Sequence, residues 1–107
     1  MDALEKSIVL NRLYDQYQEL LTDKQRLYFE QYYFEDFSIT EISENMNVSR
    51  NAVHDQLKKV NIKLQEYEQK LQLSNKSQMR ENIYNQIESC TNINEIQNMI
   101  QKLKEIE

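Results

Sequence analysis

Ser38-Ile-Thr-Glu41-Ile-Ser43-Glu-Asn-Met46-Asn47-Val48-Ser49-Arg50-Asn51-Ala-Val53-His54-Asp55-Gln-Leu57-Lys58 reads as two helices joined by a three-residue turn. Ser38-x-x-Glu41 is a capping box, in which the serine hydroxyl and the glutamate carboxylate each satisfy an orphan amide of the first turn. Asn47 stands where the backbone must enter the left-handed region, and asparagine is the best substitute for glycine there. Ser49 then caps the next helix. Ile42, Met46, Val48 and Val53 fall on the inner faces, and Ser43 is small enough for the point where the two helices cross. That is the pattern of a helix-turn-helix, whose second helix presents its N-terminal side chains to base edges in the major groove. The polar face meeting that description is Ser49, Arg50, Asn51 and His54.

Downstream, Val53, Leu57, Val60, Leu64, Tyr67 and Leu71 follow at spacings of four and three, a heptad seam. Nothing in the sequence interrupts this helix before Ser74-Asn75, so it is predicted over residues 49–73, about 37 Å long against a domain core nearer 25 Å. Its distal turns need a cover: the first helix, the tail or a second subunit. Leu64, Tyr67 and Leu71 are therefore expected at the interface of a two-fold homodimer, with the chain's own tail as the alternative cover. Residues 77–107 read as a helical hairpin: Met79, Ile83, Ile87 and Cys90 form one stripe, and Ile93, Ile96, Ile100 and Leu103 the next. Thr91-Asn92 breaks the two, and Asn92-x-x-Glu95 restarts the helix. The expected domains are a helix-turn-helix domain over 1–73 and a hairpin over 74–107, packing on it or swapping between copies.

Upstream, helices are expected over residues 4–20 and 23–34, the second capped by Thr22. Tyr28, Phe29, Tyr32 and Tyr33 give the second helix a wide apolar face, read as core packing in preference to a platform for stacked bases. The fold class is all-α: a helix-turn-helix, a long extended recognition helix and a C-terminal helical hairpin. With Gly 0 and Pro 0 the chain lacks the usual residues of tight turns and helix breaks, which agrees with that class.

Composition limits function. One histidine and one cysteine cannot form a Cys/His metal cluster, and a glycine-rich phosphate loop is impossible without glycine, so neither enzyme, metal nor cofactor is expected. The carboxylates sit beside lysines on polar helix faces, and no small-molecule substrate is implied. The N-terminal MDALEKSIVLNRL lacks a signal-peptide pattern, no run approaches a membrane span, and a lone Cys90 fits a reducing compartment, which together predict a cytoplasmic location. A net charge of −5 opposes DNA, so binding must rest on a local patch. Residues 49–63 supply one, with Arg50, Lys58, Lys59 and Lys63 against Asp55.

Leu21-Thr-Asp-Lys-Gln-Arg26, Tyr32-Tyr-Phe-Glu-Asp-Phe-Ser38, Glu41-Ile-Ser and Asn47-Val-Ser-Arg-Asn-Ala-Val53 resemble the fourth conserved region of bacterial RNA polymerase sigma factors. More closely, the chain resembles the YlxM-like family of small helix-turn-helix proteins. The likeness is sharpest at Val48-Ser-Arg-Asn-Ala-Val-His-Asp55 and Leu64-Gln-Glu-Tyr-Glu-Gln-Lys-Leu71, and weaker in the tail. Members are encoded beside signal recognition particle genes, which implies a regulatory or accessory role in that pathway. Sigma-like domains commonly have Ala where this chain has Ser43 and Gly where it has Asn47, both tolerable exchanges. The resemblance makes Arg50, Asn51 and His54 base-reading candidates, and Ser49, Lys24 and Lys58 phosphate contacts. The expected function is that of a DNA-binding regulatory protein. The alternative is a sigma-like interaction module that binds signal recognition particle components or RNA, favoured by the acidic surface and the long helix.

Overall fold

The computed structural model describes residues 2–107, and among these it holds helices and no strand. In order they are α1 (Ala3–Tyr17), a single 3₁₀ turn (Gln18–Leu20), α2 (Asp23–Tyr33), α3 (Ile39–Met46), α4 (Arg50–Leu71), α5 (Leu73–Ser89) and α6 (Ile93–Ile106). The caps explain the boundaries. Asp2 accepts from the Glu5 amide at 2.8 Å to open α1. Thr22 and Gln25 form a reciprocal capping box at the start of α2, at 2.9 and 3.1 Å. Ser38 and Glu41 form the second at α3, at 3.2 and 3.1 Å. The Ser49 hydroxyl accepts from the Ala52 amide at 3.1 Å and opens α4.

Asn47 ends α3 at φ 53°, ψ 48°, its N–H donating to the carbonyls of Ser43 and Glu44. The Val48 amide also reaches back to the Ser43 carbonyl, at 3.0 Å. These bonds use carbonyls that the end of a helix leaves unpaired.

The chain divides into two compact units, with the break between Leu71 and Gln72. In the first unit, α4 is the spine of two apolar clusters. Its N-terminal half supplies Val53 and Leu57, which pack with Tyr28 of α2 and Ile42 of α3; Phe37, Ile39, Met46 and Val48 close the edge. Further along, Val60 and Leu64 pack with Leu10, Leu13, Tyr14 and Tyr17 of α1 and with Leu21 and Phe29. The second cluster is rich in aromatic contacts: Tyr14 stacks on Phe29 at 4.4 Å, and both meet the edge of Phe34.

That arrangement corrects the expectation of a dimer face along the distal seam. Leu64 is 0 % exposed, enclosed by α1 within the same chain, because α1 folds back along the second half of α4. Tyr67 is partly buried against Tyr17, and its hydroxyl donates to the Leu20 carbonyl at 3.5 Å. Only Leu71 of the three is exposed.

α4 also ends earlier than expected. It stops at Leu71, because Gln72 takes φ 58°, ψ 24°, and α5 resumes at once at Leu73. Glutamine carries no local preference for the left-handed region, which costs a residue with a Cβ roughly 1–2 kcal/mol, so the sequence gives no warning of this break. Ser74-Asn75, the expected break, lies inside α5.

The second unit, Gln72–Glu107, is a hairpin of α5 and α6. Asn92 caps α6 by accepting from the Glu95 amide at 3.2 Å. Cys90 is a half-buried free thiol at the end of α5, with Sγ 3.4 Å from a Glu95 carboxylate oxygen.

Candidate nucleic-acid interface

The turn at Asn47–Ser49 delivers the first turn of α4 to the surface. Ser49, Arg50, Asn51, His54 and Lys58 are all exposed. At about 100° per residue, Arg50, His54, Lys58 and Asn51 share an arc of roughly 100° on α4, beside the buried line of Val53, Leu57 and Val60. The structure therefore brings four of the predicted residues onto one helix face, with Ser49 at its end. Lys24, in the first turn of α2, lies about 12 Å along that helix from Tyr32, which lines the cleft beside this face.

The expected basic patch over 49–63 divides. Lys59 pairs with Asp55 at 3.0 Å on the neighbouring flank, an exposed pair. Such pairs contribute little to stability, but this one offsets the Asp55 charge near the reading face. Lys63 lies about 140° round the helix from Lys58, because five residues amount to about 500°. The cations on the reading face are thus Arg50 and Lys58, with His54 between them.

Beside this face, α1, α2, α3 and α4 enclose a cleft of about 350 Å³. His54, Lys58, Asn61 and Gln65 line it from α4 at spacings of four, three and four. Lys6 comes from α1, and Tyr32 and Tyr33 from the C-terminal end of α2. Ile39, Leu57 and Ile62 form its apolar part, and no carboxylate lines it among the described residues. Tyr32 is 38 % exposed and meets Tyr33 edge to face at 4.9 Å. The aromatic cluster expected to be core is therefore split: Tyr28 and Phe29 are buried, while the Tyr32 ring reaches the surface.

Lys6, Asn61 and Gln65 were not among the residues the sequence singled out, and Tyr32 was read there as core. The α4 pair was readable, since 54, 58, 61 and 65 repeat at helical spacing. Lys6 was not, because only the return of α1 along α4 brings it there.

Among the described residues, Tyr14 shows the one clear displacement of a titrating group. Burial, and then the Glu30 carboxylate that accepts a hydrogen bond from its hydroxyl at 2.5 Å, push the phenol well above its ordinary value near 10. This group belongs to the core and keeps α1 registered on α2. Among the described residues no cluster of three His, Cys, Asp or Glu could hold a metal ion, and no helix is long and apolar enough to cross a membrane.

An all-helical domain with two capped helices, a left-handed turn residue and an exposed polar first turn on the second helix is a helix-turn-helix protein. Residues 4–106 match the family described as "Putative helix-turn-helix protein, YlxM / p13 like", UPF0122. A UPF0122 protein of Oceanobacillus iheyensis is 44 % identical over 104 residues, covering 97 % of this chain and 99 % of its own. One from a Geobacillus species is 42 % identical over 109 residues, with 97 % and 99 % covered. UPF0122 protein YlxM of Bacillus subtilis is 46 % identical over 85 residues, 79 % of this chain and 77 % of that protein. The chain belongs to the UPF0122 family.

Proposed function

We propose that the first unit is a DNA-binding regulatory module that enters the major groove with the first turns of α4. The observation that carries this reading is the shared arc of Arg50, Asn51, His54 and Lys58 directly after the Asn47 turn. Arg50 suits guanine and Asn51 adenine, each through paired hydrogen bonds, and His54 reads the adjoining edge. Ser49, Lys58 and Lys24 hold phosphates, which position the helix without specifying sequence. Few cations take part, so affinity is modest and its fall with salt is shallow.

A second reading is favoured by the charge of α2 and α3. Between Leu27 and Ser49 stand Glu30, Glu35, Asp36, Glu41 and Glu44, with no lysine or arginine. In a helix-turn-helix the helix before the turn crosses the phosphate backbone, and here that helix carries carboxylates. The rival is a sigma-like interaction module acting in the cytoplasm on signal recognition particle components or RNA. A homodimer offering two α4 helices to a palindromic site is compatible with the first reading, but it must use surface other than Leu64.

Fluorescence anisotropy separates these readings, with the chain titrated at 50–200 mM salt onto the duplex upstream of its own gene and, separately, onto signal recognition particle RNA and protein. The DNA reading expects saturable duplex binding with a log–log salt slope of about −2 to −3. Binding to the particle components alone would overturn it in favour of the rival.

A further inference from the structure

Beyond the duplex reading, and independent of it, we infer that the cleft beside α4 binds a single nucleotide, its base against the Tyr32 ring and its phosphate held by Lys6 and Lys58. Acidic residues outnumber lysine and arginine by 18 to 13 in this chain, yet the cleft collects two lysines and His54 and no carboxylate. Neither lysine takes part in an ion pair among the described residues. Such a wall selects an anion.

The rest of the lining asks for more than a bare anion. Tyr32 offers an exposed ring held upright by its edge-to-face contact with Tyr33. A base stacks on such a ring whatever its sequence identity. Asn61 stands in the wall with a buried Oδ1 that has no hydrogen-bond partner. The side-chain torsion of an asparagine amide is soft, so a rotation offers that acceptor to an N–H donor such as a base's exocyclic amine. Size agrees. About 350 Å³ is at the small end of ligand sites, room for one nucleotide and not for a dinucleotide.

Two sources carry this chemistry: a free nucleoside monophosphate, and an unpaired nucleotide in a strand that α4 has engaged. His54 and Lys58 belong to both the reading face and the cleft, so a base leaving the stack next to α4 would meet the cleft first.

The test is a ¹H–¹⁵N NMR titration of the full chain with AMP, UMP, adenosine and inorganic phosphate, then with a duplex that is fully paired or carries one unpaired adenosine. AMP and UMP are expected to shift Lys6, Tyr32, His54, Lys58 and Asn61 together, with Kd on the order of 0.1–1 mM. Adenosine and phosphate alone bind more weakly. Tyr32→Ala weakens AMP by about fivefold or more, the loss of one stacked contact. Lys58→Gln, an exposed change that leaves packing intact, weakens AMP and spares adenosine. If free AMP shifts the cleft, the site serves a free nucleotide. If only the bulged duplex does, it serves an unpaired base. Both support the inference. Shifts that phosphate reproduces in full, or shifts spread over Arg50, Lys59 and Lys63 without Tyr32, would overturn it. Binding of the paired duplex with a cleft silent to AMP, UMP and the bulged duplex alike overturns the cleft alone, and AMP binding without duplex binding overturns the duplex reading alone.

Discussion

Truncating Leu64 to alanine tests how the long helix is covered. Leu64 is 0 % exposed and lies among Leu10, Leu13, Tyr14 and Tyr17 of α1, so the change removes a buried isobutyl group from a cluster with a rigid aromatic wall. Changes of this kind cost about 2.7–5 kcal/mol, with the upper end where neighbours cannot collapse inward. A unit of this size has a total stability of only about 4–11 kcal/mol, at roughly 0.05–0.15 kcal/mol per residue. Leu64→Ala should therefore remove about half of it. With a urea slope near 1 kcal/mol/M, the midpoint falls by about 3 M. Urea unfolding followed by circular dichroism at 222 nm reads this directly, repeated at 2 and 200 μM chain. The midpoint of the wild type should not move with concentration, because α1 and not a second chain covers Leu64. Leu71→Ala, at an exposed position, should cost under about 0.5 kcal/mol. A Leu64→Ala cost below 1 kcal/mol, or a midpoint that climbs with concentration, would refute the packing of α1 on α4.

Arg50→Ala should relax base preference at one position of a bound site by about 1–3 kcal/mol, whereas Lys58→Ala should weaken all sequences alike and flatten the salt slope by about one unit; anisotropy on a panel of duplexes reads both. Asn47→Gly should be neutral or stabilising and Asn47→Ala should cost about 1 kcal/mol by thermal unfolding, since the left-handed backbone at φ 53° penalises a Cβ. Ser38→Ala should cost about 1 kcal/mol through loss of half the capping box. The Tyr14 phenol, held above its usual range by burial and Glu30, should resist ionisation in an absorbance titration at 295 nm. Its contribution to stability is complete below pH 10, where the unfolded phenol is still protonated, and declines as the pH climbs beyond that.

The helix-turn-helix was legible in the sequence because its signals are local. Capping boxes, a left-handed asparagine and apolar residues at helical spacing act over three to seven residues, and each reappears in the structure at Thr22, Ser38, Asn47 and Ser49. The cover of Leu64 was not legible as a single answer, since periodicity shows that a seam needs a partner without naming it. Gln72 was missed for a different reason. Its left-handed backbone has no compositional cue, so α4 was extended by two residues and α5 begun too late. The reading face was recoverable from spacing, but its net charge was not: whether Lys59 and Lys63 reinforce Lys58 depends on helical angle and on the pairing with Asp55. The cleft required Lys6 and Tyr32 to meet α4, a consequence of long-range packing alone.

On the proposed reading, α4 meets nucleic acid with the face that begins at Ser49. Mapping amide shifts of the full chain on addition of its own upstream duplex in low salt tests this most directly. Ser49, Arg50, Asn51, His54 and Lys58 should move together, and the Arg50→Ala variant should lose the pattern. Shifts centred instead on the acidic residues Glu41 and Glu44 of α3, or no shift at duplex excess, would contradict it.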